Sequence, residues 1–145
     1  AAVDAADAEG RTALHAAAFE GRVQVVQQLL AAGASVSARD LTGATALHLA
    51  ARHEGLYHLY HPHSAEVVPN LLAAGAAVAA ADSTGSTPLY FAASVPGIEA
   101  LLAAGAPLEA VNAAGETPLL AALQREKKEC ALALLAAGAV VPPVP

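Results

Sequence analysis

The residue types best suited to chemistry cluster between positions 53 and 63, HEGLYHLYHPH, where four histidines, a glutamate and two tyrosines fall in a chain with six histidines and three tyrosines in all. His53-Glu54 followed by His58 is close to the zinc-protease arrangement His-Glu-x-x-His, in which histidines four apart share one helix face and one ion. Here the spacing is five. At about 100° per residue the two imidazoles fall about 140° apart, so an unbroken helix cannot aim both at one metal. Gly55 can break such a helix and let His58, His61 and His63 regroup, with Glu54 or Glu66 supplying oxygen. No cysteine pair or fixed spacing imposes tetrahedral geometry, however, and the expectation is no metal site and no cofactor.

A second periodicity fits the same residues better. Leu56 with Leu59, Tyr57 with Tyr60 and His58 with His61 are i,i+3 pairs that make adjacent stripes on a short helix, which Pro62 ends. The leucines can dock on the protein while Tyr57 and Tyr60 face outward. Two readings follow: a packed, solvated excursion without function, or a contact surface in which tyrosine supplies rigid area with a polar tip.

Little else suggests catalysis. The single cysteine, Cys130, falls on an apolar helical stripe at the position of Val25, which points to a buried, inert thiol, and one cysteine excludes an intramolecular disulfide framework. That usage fits a reducing compartment and an intracellular location, cytoplasmic or nuclear. There is no phosphate-cradling glycine loop, serine-nucleophile elbow or defensible carboxylate pair, and the expectation is a non-enzyme. The formal charge of -6 argues against nucleic acid, which needs a basic face. The only basic cluster, Arg125, Lys127 and Lys128, is interrupted by Glu126 and Glu129 and reads as a solvated helix face. Ala131 onward is the most apolar tract, but Gly138, Pro142, Pro143 and Pro145 break it short of the ~18 to 20 residues a membrane span needs.

The elements that must position these residues come from repetition. LLAAGA begins at Leu29, Leu71, Leu101 and Leu134, and Gly-x-Thr-[Ala/Pro]-Leu begins at Gly10, Gly43, Gly85 and Gly115, at intervals of 33, 42 and 30 residues. Leu14, Ala17 and Ala18 form a small apolar stripe at helical spacing, and Val23, Val25, Val26, Leu29 and Leu30 form a second, ended by Gly33. ASVSARDLTG then reads as an extended, hairpin-like turn. The aligned segments DAEGRTALHAAAFEGRVQVVQQLLAAGASVSAR, DLTGATALHLAA with VVPNLLAAGAAVAAA, DSTGSTPLYFAA with IEALLAAGAPLEAV, and NAAGETPLLAAL with CALALLAAGAVV closely resemble the ankyrin repeat.

That resemblance implies an all-α solenoid of stacked helix-turn-helix units joined by hairpin-like loops, because one such unit cannot bury its own apolar face. The expected division is a hairpin remnant of a preceding repeat at 1–6, repeats at 7–39, 40–81, 82–111 and 112–140, and a proline-rich tail at 141–145. Further repeats or a capping segment are expected before residue 1, whose surroundings align with the later hairpins. The second unit carries nine extra residues, an insertion at 55–63, and the third is three residues short. Proline is tolerated only at a helix start, so both outer helices of these units are expected to be short, beginning near Pro69 and Pro96.

The resemblance also implies roles for single residues. His15 and His48 stand where the family's histidine ties one hairpin to the next, and Tyr90 and Leu120 replace it in the later units. The family binds proteins along a concave surface of hairpin tips and exposed inner-helix positions. In this sequence the tips are Ala8, Glu9 and Arg11, then Leu41, Thr42 and Ala44, then Ser83, Thr84 and Ser86, then Ala113, Ala114 and Glu116. The helix positions are Phe19, Glu20, Arg52, His53, Ser94, Val95, Gln124 and Arg125. Phe19 is the best aromatic anchor, with packing against an earlier unit as its alternative role. The expected function is a protein-interaction scaffold or adaptor, with Tyr57 and Tyr60 as further contacts. The alternatives are a structural segment docked within a larger chain or assembly and, remotely, a metal-binding protein.

Overall fold

The structure, a computed structural model, describes residues 2–53 and 64–141, without the side chains of His53 and Ser64. Tyr57, Tyr60 and the rest of the 55–63 insertion lie outside the described residues. Within them the chain forms α1 (Ala13–Phe19), α2 (Val23–Ala31), α3 (Ala46–His53), a 3-10 turn (Ser64–Glu66), α4 (Val67–Ala73), α5 (Pro88–Phe91), α6 (Val95–Ala103), α7 (Pro118–Gln124) and α8 (Lys128–Ala136). The odd-numbered helices pack in one row, α1 on α3 on α5 on α7, and the even-numbered ones in a second row behind it. Each odd helix also packs on the even helix that follows it, giving a two-layered stack of four helix pairs.

The core explains the spacing of the repeats. Leu14, Leu47, Leu89 and Leu119, one from each inner helix, are buried, as are Leu71, Leu101 and Leu134 of the outer row. Alanines at 17, 18, 50, 51 and 122 fill between them and allow close approach. Each buried leucine contributes about 1.5–3 kcal/mol, and none has a partner surface within its own pair large enough to hide it. On the open side of α2 another position of the outer-helix stripe is exposed. Val25 is 41% exposed, although its equivalents Val67 and Cys130 are buried against the preceding outer helix. The apolar stripe through Val25 thus has no outer helix on that side among the described residues.

One expectation is corrected here. The proline-bearing outer helix α6 keeps nine residues, as α2 and α8 do, with Pro96 in its first turn; only α4 is shortened, to seven, with Pro69 at its third position. The third pair loses its residues from the inner helix instead, since α5 has only four. The reason is local. Ser94 turns extended and caps α6 by accepting from the Gly97 N–H, and the Ala93 N–H donates to the Ala51 carbonyl, so the chain leaves α5 one turn early. The connections between pairs, moreover, contain no strand among the described residues.

Those connections are tight turns of one design. Oδ1 of Asp7, Asp40, Asp82 and Asn112 accepts from the backbone N–H two and four residues on, at 2.8–3.0 Å. Successive turns then touch through single backbone bonds, from the Leu41 N–H to the Glu9 carbonyl, from Ser83 to Thr42 and from Ala113 to Thr84. Glycine is required at the turn apex for two reasons. Gly43 has a φ of 79°, and a Cβ there would sit 2.7 Å from the Ser83 nitrogen of the next turn. Gly33, which ends α2 at a φ of 90°, faces open space. Gly43→Ala is therefore expected to destabilise by about 2–3 kcal/mol, backbone strain plus a clash with immovable backbone, and Gly33→Ala by about 1 kcal/mol, strain alone. Urea unfolding of the two variants checks that order.

Candidate functional site

The inner-helix side of the stack is set by two buried histidines. His15 and His48 each stand three residues after a threonine that caps the inner helix. The Thr12 N–H donates to His15 Nδ1 at 3.1 Å and the Thr45 N–H to His48 Nδ1 at 3.1 Å. A backbone N–H can only donate, so Nδ1 carries no proton and Nε2 does. Nε2 of His15 then donates to the Ala44 carbonyl, and Nε2 of His48 to the Ser86 carbonyl, each at 2.9 Å. Each imidazole thus ties its own helix start to the turn of the next pair, the role the sequence implied. In the third pair Tyr90 does the same by another route, its hydroxyl donating to Glu116 Oε1 at 3.2 Å.

Along the turns, Leu41 is 76% exposed, and Thr42, Ser83 and Thr84 are also exposed, while Glu116 is half-buried. Ser86 is corrected: it is buried, with Oγ within reach of Thr84 and Asn112 and its carbonyl given to His48, so it offers nothing to a partner. Ala44 is buried for the equivalent reason under His15. Ser94 and Val95 are corrected too, because the early end of α5 moves them off the inner row and into the cap and first turn of α6.

The inner-helix positions form a row of guanidinium–aromatic contacts. Arg11 lies 5.8 Å from the Phe19 ring centre and 3.7 Å from Asp40 Oδ2. Phe19 is half-buried, and Glu20 is exposed. Arg52 Cζ lies 4.3 Å over the ring of Phe91, and Arg125 Cζ lies 5.6 Å from that ring and 4.8 Å from the ring of Tyr90. An Arg125 N–H also donates to the Tyr90 carbonyl at 2.9 Å. Phe91 packs edge-on against both Tyr90 and His48. Gln124 is exposed beside them; His53 ends α3, its side chain outside the described residues. Arg11, Asp40, Thr42, Leu49, Arg52, Asp82 and Phe91 line an open cleft of about 260 Å³. Partial burial and the neighbouring Arg125 charge push the Arg52 pKa down.

A family model described as ankyrin repeats (three copies) matches residues 1–60 and 56–142. The chain belongs to the ankyrin-repeat family. Members of the family are generally protein-interaction modules and generally not catalysts. No curated protein matches the chain. None of the described helices is long and apolar enough to cross a membrane. No group of three or more potential metal ligands occurs among the described residues, which exclude the histidine-rich insertion. Cys130 is buried, and burial pushes its thiol pKa up, away from nucleophilic chemistry.

Sequence reasoning missed Phe91 as the centre of this ankyrin face. The signal was present, since LYFAA places a large ring where the other units have Ala16, Leu49 and Ala121. Tyr90 was recognised only as a histidine replacement.

Burial pushes the His48 pKa below its ordinary value, outweighing the Ser86 carbonyl that favours the charged form. The folded state therefore binds fewer protons than the unfolded one, so this contribution to stability is complete above about pH 6.5 and is lost as pH falls below it. Unfolding free energies across pH 5–7.5 are expected to fall toward acid, and His48→Gln is expected to flatten that slope.

Proposed function

We propose that this ankyrin chain is a non-catalytic scaffold or adaptor whose concave face binds a protein partner. The observation that carries the reading is the exposed row of turn tips beside the arginine–aromatic cleft. Arg11, Thr42, Arg52, Ser83 and Thr84 are among the residues that line it, Leu41 beside Thr42 in sequence is exposed, and Phe19, Glu20, Glu116, Gln124 and Arg125 are the further residues of the proposed surface. Arginine and aromatic side chains are the types that dominate interface energetics, and their mutual stacking pre-orders them. His53, whose side chain lies outside the described residues, and Tyr57 and Tyr60, which lie outside them altogether, are proposed as further contacts on their residue types alone.

A second reading, a segment docked within a larger chain or assembly, has its own support. Leu123, Leu132 and Leu135 are exposed at the α7–α8 end of the stack and line an apolar groove of about 300 Å³. The two readings separate in affinity capture with Leu41→Arg, Phe19→Ala and Leu132→Glu variants and with a deletion of residues 56–63. Partners lost with Leu41→Arg or Phe19→Ala but retained with Leu132→Glu are the expected result, with interface losses of about 1–3 kcal/mol per side chain. Loss with Leu132→Glu alone contradicts the concave-face reading, and loss with the deletion alone moves recognition onto the insertion.

A further inference from the structure

The cleft around Phe91 carries an inference that rests on the concave-face reading above and names the chemistry of the partner. The short α5 is its origin. In the other pairs an inner-helix side chain, Phe19, Arg52 or Gln124, fills the position that Ser94 has vacated to cap α6. The Phe91 ring is thereby reached from both neighbouring pairs, by Arg52 from α3 and by Arg125 from the end of α7. Two like charges are thus held around one ring.

Their donors are unequally used. Arg125 gives one N–H to the Tyr90 carbonyl. Arg52 makes no hydrogen bond and no ion pair with any described residue, and among these its planar fork of five N–H groups is held only by stacking on the Phe91 ring. Of the carboxylates nearby, Asp40 is engaged through both oxygens and Asp82 and Glu116 through one oxygen each. Asp40 Oδ1 accepts from the Thr42 N–H and hydroxyl and from the Ala44 N–H, and its Oδ2 faces Arg11. Asp82 Oδ1 accepts from the Thr84 N–H and hydroxyl and from the Ser86 N–H. Glu116 Oε1 accepts from Tyr90 and Asn112. We propose that Arg52 and Arg125 form a clamp for one carboxylate, an aspartate or glutamate side chain on an extended segment of a protein partner, with Leu49 and Phe91 as the apolar wall beside it.

A carboxylate matches the guanidinium fork in two parallel bonds and relieves the repulsion between the two cations. The ring of native carboxylates and the net charge of -6 oppose a polyanion such as nucleic acid but leave room for a single acidic group in an otherwise neutral segment.

A random-peptide display library selected on the whole chain tests this, with affinities measured for chosen peptides against the unaltered chain, Arg52→Gln, Arg52→Lys, Arg125→Gln and Leu41→Arg. The expected peptides share one acidic position. Replacing it with its amide, or introducing Arg52→Gln, weakens binding about 10- to 100-fold, and Arg52→Lys, which keeps the charge and loses the fork, falls between. Peptides that depend on Leu41 but carry no shared acid, or bind both arginine-to-glutamine variants as tightly as the unaltered chain, overturn the clamp and leave the concave-face reading standing. Peptides indifferent to Leu41→Arg, or no peptides at all, overturn both. Acetate competing as well as the peptide would make this a small-anion site, and single-stranded DNA binding as tightly would replace the protein partner; either result overturns the proposal.

Discussion

Two neutral imidazoles, each accepting from a threonine N–H and donating to a carbonyl of the next turn, are the constraint on which the face of inner helices and turns depends. Among the described residues the stack has no long hydrogen-bonded ladder between its units. Apolar burial holds the helix rows together without direction, so leucine and alanine could slide past one another by a fraction of a turn at small loss. The imidazole bridges cannot. The carbonyls they reach lie 29 and 38 residues further along the chain, and a shift of an ångström strands a buried donor and a buried acceptor together. The single backbone bonds between turn tips and the glycines that allow them complete the registration, one contact per unit.

Where the bridge changes, the face changes with it. In the third pair tyrosine replaces histidine and reaches a side chain, Glu116, instead of a carbonyl, and the inner helix is only a turn long. Phe91 occupies the space beside His48 that this leaves, and arginines from both neighbouring pairs close over its ring. The irregular unit is thus the one that gives an otherwise alanine-rich surface a chemically distinctive patch. The regular units supply the frame that holds the patch in place.

Much of this was legible in the sequence because the signals were periodic. The positions of LLAAGA and Gly-x-Thr-x-Leu fixed the four helix pairs, and His15 and His48 could be assigned their structural role from place in the motif. The departures were harder. The three missing residues were expected at the turn between the helices of the third unit, whereas they come out of α5, and Pro96 stands in the first turn of a nine-residue α6; sequence does not say which helix yields. Ser94 decides it by capping α6, and a lone serine before Val-Pro is a weak signal against a proline expected to truncate. Ser86 was misplaced because the turn-tip pattern marks position and not the direction of a side chain. Phe91 was overlooked because an aromatic within an apolar stripe reads as core, and its partners Arg52 and Arg125 converge on it only in three dimensions.

The protonation state of the bridging imidazoles tests the account most directly. Long-range nitrogen–proton correlation spectra of the ring nitrogens, assigned to His15 and His48, report which nitrogen bears the proton. At pH 7 both rings are predicted to be neutral with the proton on Nε2 and a hydrogen-bonded, unprotonated Nδ1. A proton on Nδ1 in either ring, or a ring charged at that pH, would contradict the bridge and the registration of the concave face built on it.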